Sequence, residues 1–453
     1  MTDVRLTTGE LTQRTGVEEH QLREWQELGL LRPDAEGSFD TDAVERVRLI
    51  RFAVRRGVPA ADIARLSEAQ GDDVLARYID FLGGPRPAGC SLVEAARLAG
   101  LPEALARRLW VAGGLGEDEI FDDDVEMMRA AADAVRLGLP EEALLQIIRV
   151  LADALGRVAD AENRLFHLYV HEPLRDSDLP QEKLVETVRG VGEPLRELIQ
   201  PSILYFHRRA WTRAQMEDMV IHLREDLDPH RRQLGEVPVA VLFVDLASFT
   251  PLTEAMGDAE AAKVLDRFSD LVREAAARCD GRVLKQIGDE FMVVFPSGAA
   301  AVTCGLDIAG LVHQEPQFPA VRQGAHSGTA LYREADYLGA TVNLAARVAS
   351  EAGRGQFLVT EAARAEAGDL AGVRFEPVGR RALKGVAEPL ELFVVTPRHT
   401  DAAPRVVDPV CGMELAQDQC DIHLSWQGGD VFFCSEACRE LFLEAPERYP
   451  VRR

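Results

Sequence analysis

The sequence predicts a multidomain chain: an α-helical N-terminal region, a central α+β domain, and a small α+β module suited to metal binding near the C-terminal end. Three patterns carry that reading. Amphipathic helical spacing, broken by Gly-containing turns, runs through the first half. Apolar strand-like runs then alternate with helical ones from Val237 to about Thr396, in the order β-α-β-β-α-β with further strands. Cys411, Cys434 and Cys438 gather near the C-terminus.

Bulk composition narrows the function. The 453 residues suffice for three or four domains. They are 47% hydrophobic with a mean hydropathy of -0.10, enough apolar material for several cores. A net charge of -24 gives a surface that repels polyanions and anionic lipid. Any phosphate-bearing ligand must then be held locally, through divalent metal and a few placed cations. Met1-Thr2-Asp3-Val4-Arg5 does not open a signal peptide, and no apolar run approaches the ~20 residues of a membrane span. Seven Cys, an odd number, fit a reducing cytoplasm with a metal site better than a disulfide framework. The expected location is cytoplasmic, with no membrane partner.

Residues 1–80 form the first unit. Leu6-Thr7-Thr8-Gly9-Glu10-Leu11, Thr15-Gly16-Val17 and Leu22-Arg23-Glu24-Trp25 give a helix, a Gly turn and a second amphipathic helix. Phe39 follows, then a third helix through Arg56 and, after Gly57-Val58-Pro59, a fourth from Ala60. This stretch resembles the MerR-type winged-helix domain. The order recurs over residues 90–160. Leu92 to Leu101 mirrors Glu10 to Val17, Phe121 answers Phe39, and Arg136-Leu137-Gly138-Leu139-Pro140 answers Arg55-Arg56-Gly57-Val58-Pro59. We read two diverged winged-helix-like copies joined by Gly83-Gly84-Pro85-Arg86-Pro87. Duplex binding needs Lys and Arg against phosphates. Residues 1–75 hold ten Arg and no Lys against fifteen Asp or Glu, a net charge of -5. Glu18 and Glu19 sit in the expected recognition helix, and the second copy adds Glu117, Asp118, Glu119, Asp122, Asp123 and Asp124. DNA is therefore not the expected partner; protein contact or ligand sensing is.

Residues 161–235 read as a helical linker or transducer. Leu144-Leu145, Ile147-Ile148, Leu151 and Leu155 lead into it as one apolar face, and Pro173, Pro180 and Pro194 punctuate it. It carries His167, His171, His207 and His222. Histidine titrates near neutral pH, but surface or packed rings are the expected reading here.

The chemistry lies in residues 236–397. Val241-Leu242-Phe243-Val244-Asp245-Leu246-Ala247-Ser248-Phe249-Thr250 and Lys285-Gln286-Ile287-Gly288-Asp289-Glu290-Phe291 each place a carboxylate at the end of, or just after, an apolar strand. Gly288 permits a tight hairpin turn that aims Asp289 toward Asp245. Carboxylates there suit Mg²⁺ or Mn²⁺, and two such ions activate an attacking hydroxyl and neutralise a triphosphate. Downstream lies Asp336-Tyr337-Leu338-Gly339-Ala340-Thr341-Val342-Asn343-Leu344-Ala345-Ala346-Arg347. Lys is a donor only and ionised Asp an acceptor only. Lys285 and Asp336 therefore match adenine, with its ring-nitrogen acceptor and amine donor; guanine reverses that pattern. Asn343 and Arg347, four apart, share one helix face.

Together these motifs resemble the class III adenylate and guanylate cyclases. The resemblance implies a ferredoxin-like α+β (βαββαβ) catalytic domain that converts ATP to 3′,5′-cyclic AMP and pyrophosphate with two Mg²⁺ or Mn²⁺ per active site. It implies metal ligation by Asp245 and Asp289 and base recognition by Lys285 and Asp336. Asn343 would orient the ribose, Arg347 would stabilise the transition state, and Lys384, in Leu383-Lys384-Gly385-Val386, would touch the phosphates. It also implies a head-to-tail homodimer with active sites at the subunit interface. The second winged-helix-like copy resembles the regulatory domain that precedes some actinobacterial adenylate cyclases. A guanylate or relaxed-specificity purine nucleotide cyclase is the alternative enzyme. A DNA-binding regulator with a nucleotide-sensing cyclase domain is the alternative class.

Residues 406–450 open with Asp408-Pro409-Val410-Cys411-Gly412-Met413 and continue with Phe432-Phe433-Cys434-Ser435-Glu436-Ala437-Cys438. Asp401-Ala402-Ala403-Pro404 reads as the linker before them. Cys434 and Cys438 share one helix face, and Cys411 precedes a hairpin that returns the chain to them. Thiolates select Zn²⁺ or a soft ion such as Cu⁺, and a module this small gains from a metal staple. Three Cys leave a tetrahedral site one ligand short. Cys420 or His423 would complete it, or one position stays open. The module resembles the YHS domain of the TRASH-like group.

Overall fold

The computed structural model describes residues 5–40, 42–81, 89–116, 120–177, 179, 181–227, 236–398, 405–417 and 420–451. The linkers expected at 83–87 and 401–404, the break expected at Pro180, and the acidic residues Glu117, Asp118 and Glu119 lie outside the described residues. The chain divides into two compact units, Met1–Leu227 and Asp228–Arg453.

The first unit is helical. Its helices are α1 (Thr8–Thr15), α2 (Glu19–Glu27), α3 (Asp42–Arg55), α4 (Ala60–Gln70), α5 (Val74–Phe81), α6 (Leu92–Ala99), α7 (Glu103–Ala112), α8 (Asp122–Arg136), α9 (Glu141–Phe166), α10 (Glu172–Arg175) and α11 (Gln181–Leu227). Local chemistry repeats between the two halves. Thr7 caps α1 and Ser91 caps α6, each accepting from the backbone N–H three residues on. Both helices stop at a left-handed glycine, Gly16 and Gly100. Leu6 bridges to Phe39, and Cys90 to Ile120. Each half has its own core, one around Leu11, Leu22, Trp25 and Ile50, the other around Leu105, Leu109, Trp110 and Met128.

Pro194 was expected to punctuate the helical segment, yet α11 continues through both Pro194 and Pro201. A mid-helix proline removes a hydrogen bond and costs about 3 kcal/mol. At 47 residues, α11 retains enough of its ladder to carry that loss. Leu198, Phe206, Trp211, Met216 and Leu223 lie exposed along it. His167 and His171 stack at 5.1 Å in a π-helical turn after α9. Among the described residues no helix is long and apolar enough to cross a membrane.

The second unit runs β1 (Glu236–Leu246), α12 (Phe249–Met256), α13 (Asp258–Arg278), β2 (Arg282–Ile287), β3 (Glu290–Phe295), α14 (Gly298–Gln314), β4 (Gln317–Pro319), β5 (Val321–Arg333), β6 (Asp336–Leu338), α15 (Ala340–Glu351), β7 (Phe357–Thr360), α16 (Glu361–Ala367), β8 (Val373–Arg381) and β9 (Leu390–Pro397). A mixed eight-stranded sheet has the order β2-β3-β1-β5-β7-β9-β8, with β6 on β5. Strand β5 is parallel to β7 and antiparallel to β1. Side chains alternate along β1 with period two. Leu242, Val244 and Leu246 enter one core with Phe268 and Val302 of α13 and α14. Val239, Val241 and Phe243 enter the other with Ala345 and Ala349 of α15. Asp245 continues that second row at the strand end.

The chain then adds β10 (Arg405–Val407), β11 (Met413–Ala416), β12 (His423–Trp426), β13 (Gly429–Phe432) and α17 (Glu436–Glu444). The cysteine module does not stand apart. Its β11 pairs with β4, Met413 opposite Pro319 and Leu415 opposite Gln317, in a sheet ordered β10-β11-β4.

Candidate functional site

Antiparallel pairing of β1 with β3 sets Val244 opposite Phe291, which brings the end of β1 beside the Gly288-Asp289 turn. Gly288 takes φ +62° there, and Ile287 faces Glu290 across the turn. The result is the contact the sequence anticipates: the carboxyls of Asp245 and Asp289 meet. Asp245 is 5% exposed. Partial burial, a hydrogen bond with Asp245 and its like charge push Asp289 up to about 7. Burial and Asp245 also raise the neighbouring Glu290. Crowded carboxylates at a strand end form a hard-oxygen donor set that fits Mg²⁺ or Mn²⁺.

One cation already lies there. Arg322 of β5 faces Asp245 across the ladder and donates from Nε to Asp245 Oδ2 at 2.6 Å, with Nη2 on the same oxygen. Sequence reasoning missed Arg322. The pair is 77 residues apart in sequence, and only the β1–β5 register reveals it.

Lys285 of β2 donates to Asp336 Oδ2 of β6 at 2.7 Å. Both side chains stay about one-third exposed, so each head group retains access to a ligand. Asp336 Oδ1 also accepts from the Tyr337 amide at 2.9 Å, which fixes the carboxylate plane.

Asn343 lies exposed near the start of α15, and Arg347 lies one turn further on. Leu383 is buried with Val348 of α15, which pins the Lys384 loop to that helix. Lys384 is exposed on it. Gly385 then passes under Arg347: a Cβ at 385 would lie 3.0 Å from Nη1 and 3.2 Å from Nη2. The bare Cα of Gly385 is thus a floor for the guanidinium, a role the sequence did not disclose. Hydrogen bonds and packing gather the candidate residues into three groups: Asp245 with Asp289, Lys285 with Asp336, and Arg347 with the Lys384-Gly385 loop.

A second donor cluster forms in the C-terminal module. Cys411 Sγ lies 3.4 Å from Cys434 Sγ, which lies 3.6 Å from Cys438 Sγ. The fourth group is neither Cys420 nor His423, the expected completions. Cys420 Sγ faces the carbonyls of Ile422 and Phe433, and His423 is exposed against Phe432. Asp408 takes the place instead, its carboxylate and the three sulfurs all within 4.8 Å of one another. Asp408 is fully buried and accepts from the Val410 and Cys434 amides, each at 2.8 Å. Hydrogen bonds from Cys411 and Cys434 lower the Cys438 thiol below its ordinary range, which favours its thiolate as a ligand. Three sulfurs and an oxygen suit Zn²⁺, and the three thiolates alone suit Cu⁺.

Comparison with known proteins agrees with this chemistry. The adenylate and guanylate cyclase catalytic domain model matches residues 234–397. The MerR HTH family regulatory protein model matches 6–70, and the YHS domain model matches 406–452. An adenylate cyclase of Streptomyces coelicolor is 30% identical over 313 residues, covering 67% of this chain and 77% of that protein. A pH-sensitive adenylate cyclase of Mycobacterium tuberculosis is 28% identical over 364 residues, covering 78% and 89%. Among solved structures, the adenylyl cyclase CyaB from P. aeruginosa aligns at 22% identity and a TM-score of 0.33, over 37% of this chain and 97% of its own. With the catalytic-domain match and a relative at 30% identity in accord, the chain belongs to the class III adenylate and guanylate cyclases.

Proposed function

We propose that this chain converts ATP to 3′,5′-cyclic AMP and pyrophosphate as a homodimer. The observation that carries the reading is the meeting of Asp245 and Asp289 at one end of a sheet that also pairs Lys285 with Asp336. In the reaction the ribose 3′-oxygen attacks the α-phosphorus, the bond to pyrophosphate breaks, and the hydroxyl proton leaves. Asp245 and Asp289 would hold two Mg²⁺ or Mn²⁺, which when bound supply Lewis acidity toward the hydroxyl and the triphosphate. Lys285 donates to adenine N1 and Asp336 accepts from the exocyclic amine. Guanine would set donor against donor and acceptor against acceptor. Asn343 orients the ribose. Arg347 brings fixed charge to the phosphate oxygens, where charge develops, and Lys384 adds a point charge.

The likeness to class III cyclases supports a site shared between two chains across a two-fold axis. The exposed apolar residues of α11 supply surface for such a seam. In this reading winged-helix units at 1–80 and 90–160 and a helical linker at 161–235 precede a ferredoxin-like catalytic domain at 236–397, and the cysteine module at 406–450 follows it. Purified full-length protein with Mn²⁺ tests it: ATP should be turned over well above background and GTP poorly. Turnover of ATP at background would end it.

A second reading draws on the MerR match at 6–70. Glu18 and Glu19 are exposed at the start of α2, and the net charge of residues 1–75 opposes a duplex. We therefore assign the N-terminal unit to protein contact or ligand sensing. Retention of the full chain on DNA in about 50 mM salt, where electrostatic affinity is strong, would reverse that assignment.

A further inference from the structure

The turn that carries Cys411 presses on the segment that carries Asp245. Gly412, at φ +76°, lies so close that a Cβ there would be 2.7 Å from Ser248 Cβ and 3.1 Å from Ser248 Oγ. Ser248 itself takes φ +75° at the head of α12, a conformation uncommon for residues other than glycine. It lies three residues after Asp245. Arg354 clamps the same turn, donating from Nη1 to the Gly412 carbonyl at 2.9 Å, with Nη2 on the same oxygen. Below the turn, Cys411 and Cys438 share one core with Leu252 of α12, and Phe249 and Met256 pack against it.

A second route starts from the same turn. Met413 opens β11, which pairs with β4. Strand β4 leads through Ala320, whose carbonyl accepts from Ala247 at 2.7 Å, into β5 and Arg322, the partner of Asp245. Both flanks of Asp245 are thus built against residues that neighbour Cys411. Asp408 ties the turn to the cluster: its side chain accepts from Cys434 N, its carbonyl from Gly412 N, and its own N–H donates to the Met413 carbonyl.

We propose that the Cys411–Cys434–Cys438 centre with Asp408 governs divalent-cation binding at Asp245 and Asp289 of its own chain. A thiophilic ion on the sulfurs fixes the Asp408–Met413 turn against Ser248, and so fixes the backbone that presents Asp245. This rests on Asp245 and Asp289 being the catalytic cation ligands. Linkage makes the effect reciprocal: the hard-cation site and the sulfur site must each change the other's affinity by one factor.

The test uses the full chain, stripped under reductant and then given one equivalent of Zn²⁺ or, in a separate arm, Cu⁺. Metal content is read by elemental analysis, and Mn²⁺ binding by loss of the free-ion electron paramagnetic resonance signal, without nucleotide. At least one ion should bind stoichiometrically and tighten Mn²⁺ binding about ten-fold, within the ordinary range of coupling between sites. Cys434→Ser should abolish both the stoichiometry and the shift. Arg354→Gln, which leaves the sulfur ligands and their turn unaltered in sequence, should keep the bound ion and lose the shift. A chain that binds neither ion overturns the proposal, and so does one that binds an ion with unchanged Mn²⁺ affinity. A shift in Mn²⁺ affinity in a chain that forms no cyclic AMP supports the coupling while refuting the catalytic reading.

Discussion

Replacing Asp289 with Asn isolates the electrostatic cost of the candidate metal site. Displacement of this carboxyl from 3.8 to about 7 corresponds to about 4 kcal/mol at full weight. Asp289 is only half-buried, and solvent screening reduces the figure to about 1–2 kcal/mol. The sign follows from linkage. Unfolded, the group loses its proton near 3.8; folded, it keeps the proton to about 7. The folded chain therefore pays nothing below about pH 4, loses stability as pH rises through 7, and is then level. Asn carries no charge at any pH. In metal-free buffer Asp289→Asn should raise the melting temperature of the affected transition by ~3–6 °C at about pH 8 and by under ~1 °C at about pH 4.5. Scanning calorimetry on the full chain reads this directly, and Mn²⁺ binding should be lost in the same variant. Equal shifts at the two pH values, or destabilisation at the higher one, would refute the contact between Asp245 and Asp289.

Three further outcomes are expected. Lys285→Glu with Asp336→Cys should reverse the ATP:GTP ratio of kcat/KM by at least ~100-fold, because a base whose polar groups are mispaired is strongly rejected. Since that ion pair is about one-third exposed, melting should move by less than ~3 °C, and a larger loss would make the pair structural. Gly385→Ala, at φ +71°, strains the loop and crowds the Arg347 guanidinium, and should lower kcat ~10-fold with KM little changed, measured by initial rates; a change confined to KM would refute the positioning role. Mixing Asp245→Ala with Arg347→Ala protein should restore about a quarter of wild-type activity, since half the dimers then own one intact site. No recovery would refute sites shared between chains.

What could be read from the sequence was whatever a strand's own ends disclose. An acid closing an apolar run, as at Asp245, or following a glycine in a hairpin, as at Asp289, is visible in one dimension because the turn is local. Lys285 and Asp336 are legible singly as a donor and an acceptor for adenine, but the hydrogen bond between them needs the β2 and β6 positions to be known. Arg322 was invisible, since nothing near position 322 points to position 245. Asp408 shows no task in the sequence, because a buried carboxylate beside thiols is recognisable only when its amide donors are known. The prolines of α11 misled for the opposite reason: a local rule was outweighed by the length of the helix around them.

The seam between β4 and β11 has a consequence for anyone dividing this protein. The family match ends at residue 397, which invites truncation there. Such a cut would strip the cover from Leu252 and Phe249 and leave β4 as a bare edge open to sticking. The smallest fragment worth expressing therefore runs from 236 to 451, and the tail is better regarded as a wall of the catalytic house than as luggage fastened to it.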